Sequence, residues 1–145
     1  MLFNLYFVES HSQSESQRDH RALYIETDAK NKTGQIYHVR GFSVGNGMTY
    51  ETKMVTPTES ATFKRIFQIG TLDSETISRV NDICEAEVPP RTPLKKPKGV
   101  RRPDCVDWID NVIYRLHHAG IAQFDRKVVP NQLKSLQIVD TPFSK

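Results

Sequence analysis

A cysteine at the start of a helix and histidines on neighbouring strands are the parts of a thiol enzyme, and this chain has both. Cys105 follows Pro103 and Asp104, a pair that opens a helix. Its thiol therefore falls in the first turn, where unsatisfied N–H groups and the positive end of the helix dipole stabilise a thiolate. A thiol nucleophile also needs an imidazole as proton acceptor, and that imidazole needs a partner to fix its tautomer and orientation. His20 and His38 are the candidates, each on a stretch of alternating apolar residues, HRALYIET and QIYHVRGFS. Between them DAKNKTG supplies turn residues, with Gly34 expected at positive φ, so the two strands should pair antiparallel.

Each of these residues also has a plainer use. A helical cysteine commonly fills a core position as a small hydrophobe, and Cys84, late in its own helix and far from the activating end, is read that way. His117 and His118 close the Cys105 helix at its negative end, where polar or cationic groups are favoured whatever the function. Trp108, one turn into that helix, is either buried or the wall of a substrate groove, which Tyr24 on the His20 strand would also line. Arg101 and Arg102 end a segment from Arg91 that also carries Lys95, Lys96 and Lys98, contains no acid, and is broken by Pro93, Pro97 and Gly99. It reads as a solvated linker, or as a cationic flap able to attract phosphate, carboxylate or an acidic peptide.

The elements that must position these groups follow from periodicity. Leu2 to Val8 reads as a buried strand and Met48 to Val55 as another, entered through the turn Gly45-Asn46-Gly47. Thr62 to Ile69 fits a strand better than a short helix. Asp73 precedes a helical stripe of Ile77, Val80, Ile83 and Cys84, stopped by Pro89-Pro90. The second helix carries Cys105, Ile109, Val112 and Leu116 with Trp108 and Ile113 beside them, and ends at Gly120. The expected fold is α+β: one domain over 1–145, an antiparallel sheet of about four to five strands packed against two main helices. A basic, Pro-rich linker is expected at 89–103 and a flexible tail from about 125, with a short helix starting at Pro130.

Composition narrows the function classes. At 145 residues, 37% hydrophobic and 26% charged, the chain suits one domain with a modest core. A net charge of +3 is too small to argue for nucleic acid, which demands a concentrated basic footprint. Two cysteines make no disulfide framework. Two cysteines and five histidines without Cys-x-x-Cys or His-x-x-x-His spacing suggest no metal, and no cofactor motif is seen. The start lacks the basic flank and cleavage site of a signal peptide, and no run suits a membrane anchor, so a cytoplasmic location is expected.

Taken together, His20-Arg21-Ala22-Leu23-Tyr24-Ile25, Ile36-Tyr37-His38-Val39 and Asp104-Cys105-Val106-Asp107-Trp108 resemble, in this order, the motifs of the circularly permuted papain-like superfamily. Within it the likeness is to the lecithin:retinol acyltransferase and NlpC/P60-type families. The resemblance runs from about His20 to Leu116. It implies Cys105 as nucleophile, His20 as general base and His38 as the residue that orients His20, acting on an ester, amide or isopeptide of a small molecule or peptide, an anionic one included. Arg21 stands where those families carry an aromatic residue, and Asp104 where they carry asparagine. An acid beside the thiol opposes its ionisation. The alternative is a papain-like binding module without catalysis, for an anionic ligand or a partner protein. The His-x-Ala-Leu strand and Cys-x-x-Trp helix start are also similar to those of small fungal proteins.

Overall fold

The computed structural model describes residues 1–11, 20–41, 47–90 and 105–124. Alternating apolar residues build β1 (Leu2–Ser10), β2 (His20–Asp28) and β3 (Thr33–Arg40), followed by β4 (Thr49–Val55) and β5 (Phe63–Asp73). The helices α1 (Ile77–Ala86) and α2 (Cys105–His118) come next, then a short strand, β6 (Ala122–Phe124). The sheet order is β4-β3-β2-β1-β5-β6, with every neighbouring pair antiparallel. Among the described residues the fold is thus α+β with an antiparallel sheet and two helices, as expected, but with six strands rather than four to five. Among the described residues, no helix is long and apolar enough to cross a membrane.

Both helices cover one face of the sheet. The pairs Leu5↔Ile25, Phe7↔Leu23 and Leu23↔Tyr37 put these side chains, with Val39, on a common face. They form one cluster with Val80 and Cys84 of α1 and with Cys105, Trp108, Ile109, Val112 and Leu116 of α2. Cys84 is the core residue its position suggested: it is fully buried, and desolvation pushes its thiol up to about 12. Asp73 does cap, although it serves a 3₁₀ turn, Ser74–Thr76, by accepting from the Glu75 N–H, and α1 begins only at Ile77.

Gly34 has a different task from the one expected. The left-handed residue of the β2–β3 turn is Lys32, at φ 56°, whereas Gly34 lies in β3, paired with Glu26 on one side and Val55 on the other. A Cβ there would run into the carbonyl oxygen of Ile25, and one on Gly70 into that of Gln123 in β6. Glycine is needed at both places for close approach of backbones. Gly34→Ala should cost about 2–3 kcal/mol by urea unfolding, in the range of overpacked sites. An unchanged unfolding midpoint would show that β2 and β3 can separate without penalty.

Candidate functional site

Strand register brings the two predicted histidines together. His20 opens β2 and His38 lies near the end of β3, on the same face of the sheet; His20 Nε2 and His38 Nδ1 are 2.8 Å apart. The rings meet edge to face, with centroids 5.0 Å apart. On the other side His38 faces Glu51 directly across the β3–β4 pair, and its Nε2 lies 2.8 Å from Glu51 Oε1. Arg40 Nη1 and Lys53 Nζ, each 3.4 Å from a Glu51 oxygen, flank the carboxylate.

The electrostatics follow from burial and from this chain of contacts. Desolvation, reinforced by His38, Arg40 and Arg21 and opposed by Glu51, lowers His20 to about 4. Burial also lowers His38, against the pull of Glu51. The hydrogen bond from His38, with help from Lys53 and Arg40, holds the Glu51 carboxyl below its usual range. At neutral pH the site is therefore two neutral imidazoles ending on an ionised carboxylate. Glu51 was missed in the sequence, because its place opposite His38 comes from the β3–β4 register.

Cys105 stands elsewhere. It is the first residue of α2, 6% exposed, and belongs to the cluster with Leu23, Ile25, Tyr37 and Val39. Side chains alternate along a strand, so His20 and His38 point to the opposite face of the sheet from those residues. The sheet brings the two imidazoles and Glu51 together, and does not by itself bring the thiol to them. Trp108, not the thiol itself, is the residue of α2 that lies level with the histidines. Trp108, one turn into α2, stacks at 5.5 Å on Tyr50, the neighbour of Glu51, and Tyr50 pairs with Val39, the neighbour of His38.

Of the two readings of Trp108 the structure shows burial, and Tyr24, read as a groove-lining residue, is buried as well. Both are 1% exposed. Trp108 packs in the core and donates from Nε1 to the Glu87 carbonyl, and the Tyr24 hydroxyl donates to the carbonyl of Lys32. Neither presents a surface to a substrate. Arg101, Arg102, Asp104, the basic segment from Arg91, the Gly45-Asn46 part of the turn and the tail with Pro130 lie outside the described residues. Among the described residues no group of three or more His, Cys, Asp or Glu could hold a metal ion.

The DUF6540 model, a family of unknown function, matches residues 5–123. The chain belongs to the DUF6540 family. The match spans β1 to β6 and both helices, and so takes in His20, His38, Glu51 and Cys105 within one DUF6540 unit. No curated protein and no solved structure matches the chain.

Proposed function

We propose that this DUF6540 protein is a cysteine-dependent hydrolase or acyltransferase, with Cys105 as nucleophile, His20 as general base and His38 orienting His20. The observation that carries this reading is the 2.8 Å contact between His20 Nε2 and His38 Nδ1. It commits Nε2 of His20 to the second imidazole and leaves Nδ1 as the nitrogen that can serve a reacting group. In the reaction, the Cys105 S–H proton passes to His20 Nδ1 as sulfur attacks the carbonyl carbon of an ester, amide or isopeptide. His20 returns the proton to the leaving oxygen or nitrogen, and water or an amine then cleaves the thioester. N–H groups of the first turn of α2 are suited to hold the oxyanion.

The opposite-face placement of the thiol favours a second reading, a binding module that keeps the papain-like scaffold without thiol chemistry. Alkylation of Cys105 by iodoacetamide across pH separates the two, with peptide mass mapping to distinguish it from Cys84. A working nucleophile should react with a midpoint below pH 7, and His20→Asn, which removes the proton acceptor, should slow its alkylation at pH 7 about tenfold or more. A midpoint near the ordinary thiol value of about 8.5, with a rate unchanged in His20→Asn, sinks the thiol enzyme and leaves the module.

A further inference from the structure

Beyond His38 the hydrogen-bonded chain continues to Glu51. A carboxylate has no proton and can only accept, so the 2.8 Å contact requires His38 Nε2 to carry a hydrogen. A neutral His38 then has a bare Nδ1. That atom can only accept in its turn, so His20 Nε2 must be the donor in the second 2.8 Å contact. A neutral His20 is thereby left with its lone pair on Nδ1. The direction of every hydrogen bond is set from the Glu51 end.

We infer that Glu51 is a positioning residue: through His38 it fixes His20 in the tautomer whose Nδ1 is an acceptor, the state a general base requires. The surroundings suit an anchor that keeps its charge. Arg40 from β3 and Lys53 from β4 flank the carboxylate, and β4 holds it opposite His38 by backbone pairing. Glutamine in the same place would break the rule, because its amide can either accept from His38 Nε2 or donate to it. Donation reverses the whole chain and puts the proton on His20 Nδ1. Glu51 sits on a strand at the edge of the sheet with 35% of its side chain exposed, so Glu51→Gln is an isosteric change at a tolerant position.

The inference assigns a further residue to the proposed base, and rests on that reading only for its functional meaning. Its test reads protons rather than turnover. Imidazole ¹⁵N–¹H correlation spectra of the full chain at about pH 7.5 should show both His20 and His38 as Nε2–H tautomers with unprotonated Nδ1. In Glu51→Gln a substantial Nδ1–H population should appear on both rings. Arg40→Gln, which removes a neighbouring charge and keeps the carboxylate, should leave the tautomers of the unaltered protein. An Nδ1–H tautomer on His20 in the unaltered protein, no change in Glu51→Gln, or the same change in Arg40→Gln would each overturn the assignment. Cys105→Ser should leave the pattern intact, so an inert thiol and a failed anchor give different spectra.

Discussion

Truncating Trp108 to alanine is expected to destabilise the fold by about 3–5 kcal/mol, the range for removing a large aromatic side chain from a packed core. The indole is 1% exposed, lies against Tyr50 with ring centroids 5.5 Å apart, and joins β4 to α2. Its N–H donates to the Glu87 carbonyl at 3.3 Å, just beyond the end of α1, so one side chain ties both helices to the sheet. Trp108→Phe keeps most of the ring contact and loses that hydrogen bond, which should cost about 1–2 kcal/mol. Tyr114→Ala, on the outer side of the same helix and 50% exposed, should change stability by about 0.5 kcal/mol or less. Urea unfolding followed by circular dichroism compares the three. A groove-lining Trp108 would give the opposite ranking, with Trp108→Ala close to the unaltered protein in stability.

The same residue shows why some of the architecture was legible and some was not. The α2 stripe, Cys105, Ile109, Val112 and Leu116, has helical spacing and a glycine stop, and it is buried as that spacing requires. The hairpin strands around His20 and His38 were equally plain. Which face the helices would cover was not. Both sides of β2 are apolar, with Leu23 and Ile25 on one face and Ala22 and Tyr24 on the other, and all four are buried. Alternation then says which residues share a face without saying where α2 will lie. The thiol and the imidazoles were grouped on residue type and motif order, whereas strand register turns the imidazoles away from the face whose cluster holds Cys105.

Other misses have local causes. β6, Ala122–Phe124, is three residues long and pairs with Gly70, Thr71 and Leu72, too short a run for periodicity to register. Gly34 looked like a turn glycine because it follows a polar stretch, whereas its requirement comes from the Ile25 carbonyl across the ladder, a cross-strand contact that spacing along one strand does not show. Glu51 lies between Tyr50 and Thr52 in a strand of mixed character. Its value comes from facing His38, which depends on pairing rather than on spacing within its own strand.

Acid should unfold this protein through the same histidine pair, and this is the second large effect. His20 titrates near 4 in the fold against about 6.5 when unfolded. Between those values the unfolded chain takes up a proton that the folded chain refuses. Stability therefore rises with pH across this window, is complete above about 6.5, and is lost as pH falls towards 4. A shift of this size corresponds to about 2–3 kcal/mol, taken below the full conversion because the ring is partly exposed. His38, also lowered, adds in the same direction, whereas Glu51, lowered from the carboxylate range, adds its loss only further into acid. Burial is the main reason that protonation of His20 is unwelcome, His38, Arg40 and Arg21 add to it, and Glu51 opposes them.

Urea midpoints at pH 7.5, 5.5 and 4.5 should therefore fall steeply for the unaltered protein and more shallowly for His20→Gln, whose amide can still donate to His38 Nδ1. Equal slopes for the two proteins would mean that His20 is not the group refusing the proton. The window matters for the proposed chemistry as well. The neutral His20 that burial preserves is the form with a lone pair to offer, so His20→Gln should flatten the acid limb of stability and at the same time slow the alkylation of Cys105. A fold that expels a proton from His20 keeps its base ready at neutral pH, and part of the stability of the sheet end depends on the same unprotonated ring.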